Sequence, residues 1–159
     1  MGIRLYLMQH GEAVPDAEDP ERPLTPRGRE DVALLAAFLA DARVGAGRVI
    51  HSGKLRAADS AALLAPSLGP SVKVEGRPKG LLPADTPVPL AEEILEWRED
   101  TVIVGHQPFM GRLASRLLLG KEQPQVFEFI PGTLACLARR PVSGAWFLVW
   151  LLTPDLLRR

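Results

Sequence analysis

Two imidazoles and a guanidinium stand out by position: His10, Arg56 and His106. His10 ends the apolar run Ile3-Arg4-Leu5-Tyr6-Leu7-Met8-Gln9 and precedes Gly11. His106 ends Thr101-Val102-Ile103-Val104-Gly105 in the same manner. Arg56 follows the short run Arg48-Val49-Ile50-His51 through Ser52-Gly53-Lys54-Leu55, in the first turn of a predicted helix. A lone histidine at a strand end is usually a packing or capping residue, but three such strand ends change that balance. If all three share one crevice, it holds two imidazoles, a guanidinium and a helix N-terminus, an anion site suited to a phosphoryl group. A neutral imidazole can attack phosphorus near pH 7, its unperturbed pKa being about 6.5. The second imidazole and Arg56 can then stabilise charge on the equatorial oxygens, and Gly11 lets the backbone come close to whatever His10 faces.

Other residues fit plainer roles. His51 reads as a sheet-edge packing group, and Ser52 and Ser60 as supports of the Arg56 helix, since no Gly-x-Ser-x-Gly elbow surrounds them. The histidine spacing lacks a His-x-x-x-His or carboxylate–His pair, so no metal is expected. No phosphate-binding glycine loop is present either, and no organic cofactor is expected.

The elements that must position these residues alternate between strand and helix. After the first strand, residues 14–26 are rich in acids and prolines and read as a surface loop. Thr25-Pro26 opens a helix, a hydroxyl N-cap followed by proline at the first helical position. Its apolar face is Val32, Leu35, Ala36 and Leu39, with Arg27, Arg29, Glu30 and Asp31 on the other side. Further expectations are a strand at 48–51, a helix from Lys54 to about Ala65 closed by Pro66, and a short strand around Val72 and Val74. A long loop over 77–89, a helix from Leu90 to about Arg98 and a strand at 101–104 follow. The chain then predicts a helix over 109–119 with Gly120 past its end, and closing strands at 134–138 and 146–151. In the last of these, Trp146 and Trp150 stand four apart and should share one face. This order implies an α/β fold: one domain over residues 1–159, a three-layer α/β/α sandwich with a mainly parallel sheet and an antiparallel last pair.

Composition excludes several classes. Nineteen basic and nineteen acidic residues balance, which argues against a nucleic-acid partner and against a polybasic membrane anchor. No apolar run has membrane-spanning length, and the single cysteine, Cys136, reads as a core residue. A cytoplasmic location is expected on these grounds.

Gln9-His10-Gly11-Glu12, the segment Ser52 to Ser60 and Val104-Gly105-His106 together resemble the histidine phosphatase (phosphoglycerate mutase-like) superfamily. Its signature is Arg-His-Gly near the start, then Ser-Pro-x-x-Arg-Ala, then a late Gly-His. The short chain and Pro23-Leu24-Thr25-Pro26-Arg27-Gly28 resemble its SixA-like phosphohistidine phosphatase branch. The resemblance implies a phosphoglycerate mutase-like sandwich, with His10 as the nucleophile that becomes phosphorylated and Arg56 and His106 holding the phosphoryl group. The implied substrate is a protein phosphohistidine or a small phosphomonoester, without a metal; a mutase is disfavoured because the chain lacks room for the insertions that hold a sugar phosphate.

Two positions depart from the pattern. Gln9 stands where the family has arginine, exchanging a charged fork for a neutral amide and implying an attenuated enzyme. Gly53 stands where proline is usual, which should loosen the turn before Arg56. Asp85 and Glu12 are the candidates for a general acid, although both also suit solvated, loop-structuring carboxylates. An imidazole departs more readily than an alkoxide once protonated, so a site without an evident acid leans toward phosphohistidine. The competing class is a non-catalytic module that binds a phosphorylated protein or metabolite.

Overall fold

The structure is a computed structural model describing residues 2–159; Met1, the first residue of the expected 1–159 domain, lies outside the described residues. Six strands form one sheet: β1 (Arg4–Gln9), β2 (Arg48–His51), β3 (Lys73–Gly76), β4 (Thr101–Gly105), β5 (Leu134–Arg139) and β6 (Trp146–Leu152). Their order is β3-β2-β4-β1-β5-β6. The pairs β1–β4, β2–β4 and β2–β3 are parallel, whereas β5 runs antiparallel to both β1 and β6. The sheet is thus the expected mainly parallel one, with the reversal confined to β5.

Helices cover both faces. On one side α1 (Pro26–Asp41) and α2 (Leu55–Leu64) bury Val32, Leu35, Leu39, Ala57, Ala61 and Leu64 against Tyr6, Met8, Val49, Val102, Val104 and Cys136. On the other, α3 (Val88–Ile94) and α4 (Phe109–Leu119) pack Leu90, Ile94, Phe109, Met110 and Leu113 onto Leu5, Leu7, Ile50, Ile103 and Leu137. Alternate residues of each central strand serve opposite cores, which is why β1 and β4 read as continuous apolar runs. No helix among the described residues is long and apolar enough to cross a membrane.

Helix α1 begins as its sequence predicts: Thr25 caps it, its hydroxyl accepting from Gly28 N at 2.9 Å, and Pro26 occupies the first turn. Asp31 departs from expectation. It is buried, because Arg158 near the end of the chain folds back to pair with it. The α2 helix also runs on differently: Pro66 does not close it but enters a 3-10 turn, Ala65–Leu68, since proline lacks only a donor that the first turn does not use. Helix α3 starts and stops earlier than expected. Its carboxyl end tightens into i→i+3 bonds through Trp97, whose indole donates to Glu93 and carries the Arg48 guanidinium 4.4 Å above its ring.

The tryptophans of β6 lie on opposite faces rather than one. A bulge pairs Cys136 with Trp150 but Leu137 with Leu148, skipping Val149. The extra residue inverts the alternation beyond it. Trp146 therefore joins the core under α3 and α4, while Trp150 packs 5.9 Å from Tyr6 on the α1 side.

The contact that seats α1 is a close backbone approach. A side chain on Gly28 would collide with the carbonyl oxygen of Glu12, which accepts from Thr25 N at 3.0 Å. Gly28→Ala is expected to cost about 3 kcal/mol, read as a lower urea midpoint at unchanged slope.

Candidate active site

Register brings the sequence-predicted residues together. Gln9 is level with Gly105 across β1 and β4, and His51 with Val104 across β2 and β4, so His10, Ser52 and His106 leave the sheet at the same edge. His10 N donates to Gly105 O at 3.1 Å, tying the two strand exits directly. The two imidazoles are both buried, with centroids 5.1 Å apart and planes tilted by 53°.

His10 is held from three sides. Its Nδ1 lies 2.7 Å from Gly11 O. A carbonyl only accepts, so Nδ1 carries the proton and Nε2 keeps a lone pair. Gly11 N donates to Ser60 Oγ at 2.9 Å, and that hydroxyl donates to Arg56 O at 2.7 Å, so α2 is clamped to the His10 segment. Gly132 N is shared between Gln9 O and His10 O at 3.1 and 3.0 Å. A Cβ on Gly11 would meet Val32 and Gly28 at or below 3.0 Å, so this turn has space only for glycine.

His106 is engaged through Nε2, 2.6 Å from Ser52 Oγ, which also accepts from Lys54 N at 3.3 Å. Gly53 adopts φ +88, a backbone state closed to proline. The turn is therefore a different one from the proline turn of the family, not the loosened version expected from the sequence. His51, left outside the catalytic set, is half-buried; its ring accepts from Gly53 N at 3.1 Å and packs on Gly76.

Five buried polar atoms among the described residues have no partner; Arg48 Nε and Arg158 Nε lie elsewhere, and the other three are Gln9 Oε1, Arg56 Nε and His106 Nδ1. All three belong to residues singled out from the sequence. Such atoms are rare in a closed interior and suit a site that a ligand completes. Rotating the Gln9 amide by half a turn offers a donor in place of the oxygen.

Burial dominates the electrostatics. Desolvation lowers the His10 pKa to about 4, with Arg56 and Arg22 pushing the same way against the opposing bond to Gly11. His106 falls to about 3, by desolvation first and then by His10, Arg56, Lys54 and Arg22. Arg56 is itself lowered, by desolvation and then Arg22, with Asp16 opposing. Both imidazoles are neutral at pH 7, in a pocket whose acting charges are cationic.

Arg22 is the residue sequence reasoning missed. It sits at φ 48 in the loop before α1, and its Nε donates to Val14 O at 3.0 Å. Its charge reaches His10, Arg56 and His106 alike. The available signal was that Arg22 is the one cation in an otherwise acidic loop.

The two candidate acids are engaged elsewhere. Glu12 Oε1 accepts from Thr25 Oγ1 at 2.9 Å at the start of α1. Asp85 Oδ2 accepts from Gly80 N at 3.0 Å and Leu82 N at 2.9 Å, closing its own loop. Neither is among the charges that act on His10 or His106. No group of three His, Cys, Asp or Glu side chains among the described residues could hold a metal ion.

Two buried imidazoles and a helix-borne arginine at the carboxyl edge of a parallel sheet make a setting suited to an oxyanion, and sequence comparison gives the family. The model of the histidine phosphatase superfamily (branch 1) matches residues 5–79, a span holding His10 and Arg56. A protein of Picosynechococcus sp. is 32% identical over 127 residues, 75% of each chain. The solved protein histidine phosphatase SixA, complexed with tungstate, superposes with a TM-score of 0.83 at 25% identity, over 98% of this chain and 100% of that one. A phosphoserine phosphatase from Entamoeba histolytica shares the fold at TM-score 0.67 and 17% identity, over 98% and 100% of the two chains. The chain belongs to the histidine phosphatase superfamily, in its SixA-like branch. Its family and fold support phosphatase activity in general.

The lowered pKa of His10 has a kinetic sign. As a nucleophile His10 would work when neutral, so kcat/KM, corrected for ionisation of the substrate, should stay level from pH 7 to about 5 and fall only toward about 4. Loss of half the rate near pH 6.5 would contradict the buried, cation-flanked setting of His10.

Proposed function

We propose that the chain hydrolyses a phosphoryl group through a covalent phosphohistidine on His10, with protein phosphohistidine as the preferred substrate and a small phosphomonoester as the alternative. The carrying observation is the His10 Nδ1–Gly11 O bond, which leaves the Nε2 lone pair free inside a cationic pocket. In the first step Nε2 attacks phosphorus: the N–P bond forms, the bond to the leaving group breaks, and the leaving group takes its proton from water. Arg56 and His106 hold the equatorial oxygens, and Gln9 adds a neutral contact. In the second step water attacks phosphorus, the N–P bond breaks, and His10 returns to its neutral state with release of phosphate. No metal is needed in either step.

The tethering of Glu12 and Asp85 supports the substrate preference. With both carboxylates committed to loops, an alkoxide would leave without a nearby acid, whereas an imidazole leaving group needs less help. The neighbouring SixA structure was solved with tungstate, a tetrahedral oxyanion like phosphate, which supports a phosphoryl-binding reading of the corresponding crevice. We read residues 2–159 as one such domain, acting in the cytoplasm.

One observation favours a second reading, a binding module with little turnover. Gln9 brings no charge to the pocket, and loss of a charge-stabilising arginine from a phosphoryl-transfer site costs on the order of 10³-fold in rate.

Phosphate release from a phosphohistidine peptide and from an aryl phosphate separates the two. The enzyme reading expects turnover that His10→Ala abolishes, with the peptide preferred and Gln9→Arg raising the rate at least about tenfold. Tight binding of phosphate analogues without turnover on either substrate would assign the binding role instead.

A further inference from the structure

Ser52 has no part in the chemistry just described, yet it makes the closest polar contact of His106. Both are buried, at 2% exposure each, and their atoms are 2.6 Å apart. A serine hydroxyl owns one proton and two lone pairs. One lone pair faces Lys54 N, 3.3 Å away, and a backbone N–H can only donate. The other partner of Ser52 Oγ is His106 Nε2. If Nε2 carried a proton, the serine proton would have no acceptor in a buried place, an unmade hydrogen bond of the costly kind. The low-cost arrangement runs one way: Lys54 N–H to Ser52 Oγ, then Ser52 O–H to His106 Nε2. The imidazole proton then resides on Nδ1.

We infer that Ser52 is a positioning residue that holds His106 as its Nδ1–H tautomer, so that the ring presents a donor to the phosphoryl group. The partnerless, buried state of His106 Nδ1 is what such a donor looks like before its acceptor arrives. The opposite tautomer would aim a lone pair at anionic oxygens and repel them. Gly53 makes the arrangement possible, since its φ of +88 turns Lys54 N back toward Ser52. The tautomer matters only while the ring is neutral. Burial keeps it so, and the cations Arg56, Lys54 and Arg22 act in the same direction. The inference rests on the reading of this crevice as a phosphoryl site, and it adds a tautomer requirement that the resemblance to the family did not supply.

The test is nitrogen-15 NMR of the imidazole side chains at pH 7 on the full chain, whose three histidines keep the spectrum simple. The wild type should show His106 protonated at Nδ1 and bare at Nε2. Ser52→Ala should move His106 to a tautomer mixture and lower kcat roughly 10- to 100-fold while KM changes little, and Ser52→Thr, which keeps the hydroxyl, should restore both. An Nε2–H ring in the wild type overturns the inference. So does Ser52→Ala with tautomer and kcat unchanged. Should Ser52→Ala fail to fold, the wild-type and Ser52→Thr spectra still decide. Absence of wild-type turnover on any phosphorylated substrate would count against the phosphatase reading alone, because the spectra report the tautomer without it.

Discussion

The site depends on one alignment: parallel pairing that ends β1, β2 and β4 at a common edge. The His10 N–Gly105 O bond extends the β1–β4 ladder one step past the strands, so the backbone fixes where the two histidines stand, and their ring bonds to Gly11 O and Ser52 Oγ then orient the imidazoles. Ser52 follows His51 out of β2 in the same plane. In a parallel sheet the strands deliver their carboxyl ends together, and the loops leaving them have nowhere to converge but above that edge. A slip of β1 by one residue would exchange the faces of Leu7 and Met8, putting each into the wrong core. The two hydrophobic cores therefore enforce the geometry of the polar site, although neither touches the chemistry.

A second layer of restraint comes from hydroxyls. Ser60 links Gly11 to the Arg56 carbonyl, Thr25 links Glu12 to the start of α1, and Ser52 links Lys54 to His106. Each joins a strand-exit segment to a helix N-terminus. A hydroxyl is suited to this because it donates and accepts at once, fixing both the position and the proton direction of what it touches. The carboxylate of Glu12 is drawn into the same scaffolding. That use commits an acid two residues from His10 to the start of α1.

The residues at the strand ends were evident from sequence because strand and helix signals are local. A run of apolar residues that stops at His-Gly, the pair Thr25-Pro26 and Gly120 after an amphipathic run each carry their meaning within a few positions. What escaped was long-range. Asp31 has the pattern of a solvated helix residue, and only the return of Arg158, 127 positions later, buries it. Trp146 and Trp150 obey the alternation rule until a bulge, created by pairing with β5, inverts it. Arg22 belongs to an acidic loop with no periodicity, and it reaches the site only because that loop doubles back through Val14 and Pro23. Ser52 was read as a helix support, which it is, but its bond to His106 joins residues 54 apart.

The groups around His10 and His106 favour an anion. Two imidazoles are desolvated beside Arg22, Lys54 and Arg56, and buried polar atoms of Gln9, Arg56 and His106 lack partners. Each feature is unfavourable in the free protein. Because both histidine pKa values are lowered on folding, the unfolded chain binds more protons below about pH 6.5; stability is fullest above that value and declines as pH falls toward about 4. An oxyanion reverses each of these costs together. It attracts the cations, accepts from Arg56 Nε and His106 Nδ1, and relieves the pressure that holds the imidazoles neutral. The same desolvation that lowers both histidine pKa values strengthens every one of those contacts once water is excluded. Gln9 brings a neutral amide to this cationic setting, where a guanidinium would bring a fixed charge and a rigid fork of donors.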